Sequence, residues 1–204
     1  MIAIIDYGVG NIRAFANVFK KLNVVFKVAK TENDLNQATK VILPGVGAFD
    51  HAMAQLNASG MRDRLDELVI TNKIPVVGIC VGMQMLANSS DEGKLSGLGW
   101  IDATVKRFDE SKINFKTHLP HMGWNDIIAV KKNKILQGLE NDAKFYFLHS
   151  YYFHCHNQDD KIATTNYGID FSCAVNKDNI YGVQFHPEKS HQYGTQLLNN
   201  FSNL

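Results

Sequence analysis

The fold of this chain is decided by the stretch Val76-Val77-Gly78-Ile79-Cys80-Val81-Gly82-Met83-Gln84. The apolar run before Cys80 predicts a buried strand, and a helical pattern begins after it. Glycines two residues before and two residues after the cysteine allow the sharp strand-to-helix turn called a nucleophile elbow. Such a turn exposes a thiol above the sheet at the positive end of a helix, which favours the thiolate. Although free cysteines are usually buried and inert, this spacing predicts that Cys80 is a nucleophile.

The composition predicts one globular domain over residues 1–204, since 45% of the 204 residues are hydrophobic. The 21 Lys+Arg and 20 Asp+Glu nearly cancel, so the charge indicates neither a nucleic-acid nor a membrane partner. The first apolar run soon meets Asp6 and lacks the basic flank of a signal peptide, and no run approaches a transmembrane length. We therefore expect a cytoplasmic protein.

The three cysteines are odd in number and widely spaced, which argues against a disulfide framework and fits a reducing compartment. Cys155 stands between His154 and His156, but this group lacks the paired ligand spacing of a zinc site. We expect neither a metal nor another cofactor.

Strand and helix patterns alternate through the first 80 residues. The predicted strands are residues 2–5, 24–28, 41–43 and 76–79, and helical patterns cover residues 12–22, 33–38 and 53–72. This alternation predicts parallel βαβ units and a doubly wound sheet. Gly8 and Gly10 resemble a dinucleotide fingerprint, but Arg13 stands at its third glycine position, so nucleotide binding is not favoured.

Aromatic and β-branched residues after Leu98 predict a more antiparallel region, with a polar surface loop at residues 109–116. Its predicted strands are residues 99–108, 122–130, 145–153, 162–165, 172–175 and 180–185, followed by a terminal helix at residues 193–201. The expected fold is therefore α/β, flavodoxin-like, with a mostly parallel central sheet and additional antiparallel strands in the C-terminal half. In such sheets a site forms beyond the carboxyl ends of the strands. Residues 6–11, residues 44–47 and Cys80 are predicted to meet at that edge.

A cysteine nucleophile needs a base and a group that orients the base. The strand that ends at Phe185 delivers His186-Pro187-Glu188, and residues two apart in an extended chain point to the same side. The Glu188 carboxylate is thus placed to reach the imidazole nitrogen of His186 that lies away from the thiol. Cys80, His186 and Glu188 are predicted to form a catalytic triad.

Three stretches together resemble the triad-type (class I) glutamine amidotransferases. They are Gly78-Ile79-Cys80-Val81-Gly82-Met83-Gln84, Pro44-Gly45-Val46-Gly47 and Gln184-Phe185-His186-Pro187-Glu188-Lys189-Ser190. Three further stretches resemble, within that class, the glutaminase subunits that serve imidazole glycerol phosphate synthesis. These are Asp6-Tyr7-Gly8-Val9-Gly10-Asn11, Pro120-His121-Met122-Gly123-Trp124-Asn125 and His149-Ser150-Tyr151-Tyr152, so the resemblance covers essentially the whole chain.

The resemblance implies that L-glutamine is hydrolysed to glutamate and ammonia through a thioester on Cys80. It implies an oxyanion site made by the backbone N–H of Val81 and by an N–H of the loop that holds Val46 and Gly47. The residues it assigns to glutamine binding are Gly45, Gln84, Glu92, Ser150 and Tyr151. It further implies a heterodimer in which ammonia passes to a (β/α)8-barrel cyclase of histidine biosynthesis, faced by Asn11, Trp124 and Lys189.

The chain departs from this family at two places, and two alternatives stay open. Val81 stands where the family usually has leucine, which changes an apolar wall but keeps the backbone N–H, and the loop at residues 109–118 is longer than usual. The first alternative is a paralogous subunit that supplies ammonia for amidation of a surface sugar. The second is a catalytically silent scaffold for the cyclase, against which the intact Cys80, His186 and Glu188 argue.

Overall fold

A parallel sheet forms the first half of the molecule. The computed structural model describes residues 1–115 and 118–204. The parallel strands are β1 (Ile2–Ile5), β2 (Phe26–Ala29), β3 (Lys40–Gly45) and β4 (Val76–Cys80), in the order β2–β1–β3–β4. Each residue of β1 and of β4 is buried, as expected of parallel strands covered on both faces. The predicted parallel α/β core is confirmed.

Helices connect these strands and close the chain. They are α1 (Ile12–Lys21), α2 (Phe49–Ala58), α3 (Arg62–Asp66), which continues into a π-helical turn (Glu67–Thr71), α4 (Val81–Gln84) and α5 (His191–Ser202). Shorter 3₁₀ turns lie at Glu32–Leu35, Glu110–Lys112, Lys134–Leu136, Gln158–Asp160 and Pro187–Lys189. Helix α1 buries Phe15 and Phe19, and α5 buries Leu197 and Phe201. Their apolar residues recur at helical spacing, which is why the sequence identified both helices.

Further strands, most of them paired antiparallel, extend the same sheet beyond β4. They are β5 (Ser89–Ser90), β6 (Ala103–Arg107), β8 (Ile128–Ala129), β10 (Tyr151–Cys155), β11 (Lys161–Tyr167), β12 (Ile169–Lys177) and β13 (Ile180–Val183). Strand β13 pairs in parallel with β4 and antiparallel with β12, so it joins the two halves. In the described residues the sheet has eleven strands. Additional antiparallel strands in the C-terminal half were predicted, and they are confirmed.

A separate two-stranded ribbon pairs β7 (His121–Asp126) with β9 (Lys144–His149). The prediction of single strands at residues 122–130 and 145–153 was wrong, because the first breaks at Ile127 and the second at Ser150. At Ser150 the chain leaves the ribbon and joins the main sheet as β10. These breaks are caused by pairing with different strands of the folded protein. For that reason, neither glycine nor proline marks them in the sequence. Of the predicted polar loop, residues 116 and 117 lie outside the described residues.

The carboxyl ends of β3 and β4 lie side by side, with Gly45 directly opposite Cys80. The loop after β3 therefore meets the cysteine at one edge of the sheet, as the sequence predicted. None of the helices in the described residues combines the length and the apolar character needed to cross a membrane.

Candidate active site

The turn at Cys80 has the strained backbone of a nucleophile elbow, with φ 54° and ψ −113°. Glycines make this turn possible by close backbone approach. A Cβ atom on Gly82 would lie 2.0 Å from the Leu43 carbonyl oxygen, and one on Gly78 would lie 2.5 Å from the Gly82 carbonyl oxygen. Since real Cβ atoms do not approach backbone so closely, both positions require glycine. This is the physical basis of the spacing recognised in the sequence.

The prediction that the thiol is exposed above the sheet was wrong. Cys80 is 3% exposed and lies at the floor of a cavity of about 350 Å³, because the loop after β3 and the start of β10 rise around it. This volume is within the range of small-molecule sites. The lining residues are Val46, Gly47, Cys80, Val81, Gln84, Glu92, Pro120, Leu148, His149, Ser150, Tyr151, His186 and Lys189. We call Cys80, Val81 and Gln84 the floor of the cavity and residues 148–151 its wall.

The structure brings His186 and Glu188 together at the cavity. Nδ1 of His186 lies 3.0 Å from Oε1 of Glu188, and the two side chains are 4% and 1% exposed. The pair forms across the 3₁₀ turn Pro187–Lys189, not along an extended strand as the sequence argument assumed. Burial acts to lower the pKa of His186, but hydrogen bonding to Cys80 and to Glu188 outweighs it and raises that pKa to about 10. The imidazolium form is therefore favoured at neutral pH.

Backbone contacts fix the position of His186. Its N–H donates to the carbonyl of Tyr146 at 2.9 Å. The Ser190 hydroxyl donates to the His186 carbonyl at 2.6 Å and accepts from the Tyr146 N–H at 3.0 Å. Ser190 is fully buried, so these hydrogen bonds are shielded from water. Strand β9 of the ribbon therefore fixes the backbone position of His186.

The loop after β3 is anchored by Tyr7. The Tyr7 hydroxyl donates to the Pro44 carbonyl at 2.6 Å, and burial, followed by the nearby Cys80, raises the Tyr7 pKa. Gly10 has φ +106°, and a Cβ there would lie 2.6 Å from Cβ of Pro44, so this glycine serves packing. Beyond Pro44 the loop rises freely, with Gly47 at φ +82° in open space. The loop is therefore fixed at its base and permissive at its tip.

Two buried glutamines connect the floor of the cavity to its wall. Nε2 of Gln84 donates to Oε1 of Gln184 at 3.1 Å and to the Tyr151 carbonyl at 3.2 Å. Nε2 of Gln184 in turn approaches the sulfur of Cys80 at 3.8 Å. The thiol also lies 3.9 Å from the Leu148 carbonyl. The sulfur is thus held between an amide donor and a backbone acceptor.

The residues assigned to glutamine binding fall in two places. Gln84, Glu92, Ser150 and Tyr151 line the cavity. Gly45 lies beneath it, because a Cβ at Gly45 would be 2.3 Å from the Gly82 nitrogen. Oε2 of Glu92 accepts from the N–H of Phe49 at 2.8 Å, which ties it to the start of α2.

The residues assigned to a partner interface also lie in two places. Trp124 is 48% exposed on β7, close to Tyr146, and Nζ of Lys189 lies 5.6 Å from the centre of the Tyr146 ring. Trp124 and Lys189 thus flank one tyrosine at the mouth of the site. Asn11 is exposed before α1, a helix that packs against the turn holding Lys189.

Sequence reasoning gave no role to Gln184, Tyr7 or Ser190, although all three stand in the stretches quoted for the resemblance. The predicted strand at residues 180–185 carries a signal for Gln184, because strand alternation would place it on the same side as His186, although β13 itself ends at Val183. Tyr7 and Ser190 act through distant backbone carbonyls, which local sequence patterns do not encode.

A cysteine on a strained elbow beside a buried histidine–carboxylate pair is the arrangement that acyl transfer through a thioester requires. The fold and site therefore define the class of α/β enzymes with a candidate cysteine nucleophile at the carboxyl edge of the sheet. The chain belongs to the class-I glutamine amidotransferase family, whose model matches residues 3–203.

Named relatives agree with this assignment, and solved structures share the fold. The chain is 59% identical to the imidazole glycerol phosphate synthase subunit HisH of Bdellovibrio bacteriovorus, over all of both chains. It is 54% identical to the subunit of that name from Leptospira interrogans, again over all of both chains. A crystal structure of a glutamine amidotransferase has the same fold, with a TM-score of 0.72 and 20% identity over 97% of this chain and 98% of that one. The glutaminase domain of Trypanosoma brucei CTPS has a TM-score of 0.63 and 16% identity over 99% of this chain and 93% of that one.

Proposed function

We propose that this chain is the glutaminase subunit of an imidazole glycerol phosphate synthase, acting in histidine biosynthesis. The observation that carries the proposal is the buried pair of His186 and Glu188 beside an elbow cysteine, in a chain 59% identical to a subunit of that name. This similarity favours the histidine pathway over sugar amidation. The complete pair argues against a silent scaffold, which has no use for a buried imidazolium.

The reaction starts when the Cys80 sulfur attacks the side-chain carbonyl carbon of L-glutamine. His186 then gives a proton to the departing nitrogen as the C–N bond breaks, which leaves ammonia and a γ-glutamyl thioester. Water attacks the thioester carbon, His186 accepts its proton, and the C–S bond breaks to release glutamate. Glu188 keeps the imidazole oriented and stabilises its charged form through both steps.

The oxyanion formed in each step is stabilised by backbone donors. The N–H of Val81 lies at the first residue of α4, directly after the nucleophile. A second N–H comes from the loop at Val46 or Gly47, which line the cavity opposite. Each donor is worth roughly 3 kcal/mol in the transition state. The Val81 side chain is not a donor, so its departure from the family's leucine leaves this chemistry intact.

Glutamine lies along the cavity between the floor and the wall. The Glu92 carboxylate provides negative charge for the substrate ammonium group, and Gln84 with the backbone of Ser150 and Tyr151 lines the rest of the path. Lys189 lies at the mouth of the cavity, where it belongs to the proposed partner interface.

The partner is a cyclase subunit with a (β/α)8 barrel, which receives the ammonia within a cytoplasmic heterodimer. The exposed side chains of Met122 and Trp124, 62% and 48% accessible, support docking at the ribbon beside the cavity mouth. Lys189 and Asn11 extend this face. Docking there covers the cavity, so that ammonia leaves toward the partner and not into water.

A mixing experiment tests the function. The purified chain is combined with the candidate cyclase and its ribonucleotide substrate, and synthesis is followed with either glutamine or ammonium salt as nitrogen source. We expect both sources to support synthesis in the mixture, and only ammonium to support it with the cyclase alone. Glutamine hydrolysis without any synthesis at the cyclase would redirect the proposal to another ammonia acceptor.

A further inference from the structure

Two buried histidines outside the triad connect the cavity wall to the ribbon. His121 on β7 is 4% exposed and His149 at the end of β9 is 6% exposed. Nδ1 of His121 lies 3.0 Å from Nε2 of His149. His149 also lines the cavity, whereas His121 stands behind it. The mechanism above uses neither side chain.

The hydrogen-bond partners fix where the protons lie. The Tyr151 carbonyl can only accept, so Nδ1 of His149, 2.7 Å away, carries a proton and donates. Nε2 of neutral His149 then accepts, and Nδ1 of His121 is the donor. Nε2 of His121 accepts from the Asn125 amide nitrogen at 3.2 Å. Both histidines are therefore neutral Nδ1–H tautomers, and their hydrogen bonds form one directed chain from Asn125 to the Tyr151 carbonyl.

Burial and packing hold this chain of hydrogen bonds in place. Burial lowers the pKa of His121 to about 4, and burial followed by the charge of His121 lowers the pKa of His149 to about 3. The His121 ring is stacked between Tyr167, with ring centres 4.1 Å apart, and Phe147, with ring centres 4.7 Å apart. An imidazole stacked on both faces cannot turn without displacing its neighbours.

This chain of hydrogen bonds ends at a peptide group of the proposed glutamine site. The Tyr151 carbonyl accepts from His149 on one side and from Gln84 on the other, so both of its lone pairs are occupied. That carbonyl is thus an anchor for the wall and is not left for the substrate. Gln84 belongs to the floor, and His149 leads to the ribbon.

We propose that His121 and His149 are positioning residues that hold the Ser150–Tyr151 peptide at the glutamine site and link it to the ribbon. The Asn125 amide stands at the other end of the chain of hydrogen bonds. It also donates to the Asn166 carbonyl at 2.9 Å, which fixes this end of the ribbon to β11. A shift of β7, whose outer face carries Met122 and Trp124, therefore moves the wall of the cavity. This inference rests on the proposed function, in that the ligand of the wall is glutamine.

Isosteric variants separate the two hydrogen bonds of His149. An asparagine amide nitrogen lies as many bonds from Cα as Nδ1 of histidine, and a glutamine amide reaches one bond further, to the position of Nε2. His149→Asn thus keeps the bond to Tyr151, and His149→Gln loses it. We expect His149→Gln to raise the KM for glutamine about tenfold with a smaller change in kcat, as loss of one buried hydrogen bond implies. His149→Asn should restore most of the KM.

The kinetics are measured on the full chain in complex with its partner, with thermal melting of each variant. His154→Gln, at an exposed histidine on the neighbouring strand β10, is the matched control and should leave KM unchanged. Equal KM values for wild type, His149→Asn and His149→Gln, with wild-type hydrolysis intact, would overturn the positioning role. Absence of hydrolysis by the wild type would instead contradict the proposed function.

A second readout does not depend on whether the variants fold. Nitrogen-15 NMR of the labelled wild-type chain at neutral pH distinguishes the two neutral tautomers of each histidine. We expect Nδ1–H resonances for His121 and His149, with a cross-hydrogen-bond coupling between their rings. An Nε2–H or doubly protonated form at either residue would overturn the directed chain.

Discussion

The floor and the wall of the cavity are built in different ways. The floor belongs to the parallel sheet, and close contacts of Gly78 and Gly82 with backbone lock its shape. The wall lies where the chain passes from the ribbon to the main sheet, and side chains such as His149 and Gln84 hold it. Backbone contacts permit one arrangement, whereas a side-chain network can be displaced as a unit. We infer that the nucleophile and the Val81 oxyanion donor reside in the floor and that a docked partner acts through the wall.

Removal of the nucleophile from the floor should have the largest effect. Cys80→Ala removes the attacking sulfur and should lower glutamine hydrolysis at least about 10³-fold. Partner binding and ammonium-dependent synthesis should persist, because the wall and the exposed ribbon are unchanged. Hydrolysis and synthesis are measured on the same preparation, with Cys173→Ala as the control at a buried cysteine. Comparable hydrolysis by Cys80→Ala would rule out the elbow assignment.

Alkylation compares the floor thiol with the two structural thiols. Burial raises the pKa of Cys155 to about 11 and raises the pKa of Cys173 further, so both are protonated at neutral pH. Cys80 lies on the cavity and beside the His186 imidazolium. A glutamine-like electrophile should therefore modify Cys80 at least about 10²-fold faster than the others. Peptide mass spectrometry over time reads the rates, and faster modification of Cys155 or Cys173 would contradict the assignment.

A single methyl group tests whether the floor is locked by backbone contact. In Gly82→Ala the new Cβ would meet the Leu43 carbonyl at 2.0 Å. We expect a loss of about 2 kcal/mol or more in the free energy of unfolding, measured in urea. Gly60→Ala is the control for adding a methyl group without a clash, since Gly60 has open space around it and its left-handed backbone, φ +73°, adds only local strain. Similar losses for the two variants would mean that close approach does not fix the elbow.

Removal of the Lys189 side chain at the mouth of the site should have the smallest effect. Its amine lies against the Tyr146 ring, on the side that faces the proposed partner. Lys189→Ala should lower partner-stimulated glutamine turnover several-fold and change the slow basal hydrolysis less, because an exposed charge contact contributes about 1 kcal/mol or less. Rates with and without the cyclase and its ligand give the stimulation factor. An unchanged factor would remove Lys189 from the activation.

The floor was the part that could be predicted from sequence. Local sequence patterns predict the strand and the turn of the floor. The apolar run before Cys80 and the glycines around it are both requirements of one tight strand-to-helix turn. The edge shared by Gly45 and Cys80 followed from the general geometry of parallel sheets. The burial of the thiol was missed, since it depends on the loop and the wall that rise around the elbow.

The wall could not be predicted in the same way. The break at Ser150 separates two strands of similar composition, and it is set by pairing with β7 on one side and β6 on the other. The His121–His149 contact spans 28 residues, so local periodicity contains no signal for it. The assignment of single residues to glutamine or partner stays a prediction that the experiments above address.

Capture of the acyl-enzyme would show directly whether Cys80 carries the reaction. The complex is mixed with glutamine, quenched in acid within the first turnover and digested for peptide mass spectrometry, with Cys80→Ala treated identically. We expect a γ-glutamyl group on the peptide that contains Cys80, and its loss in the variant. A glutamyl group on Cys155 or Cys173, or unmodified Cys80 during continuing hydrolysis, would contradict it.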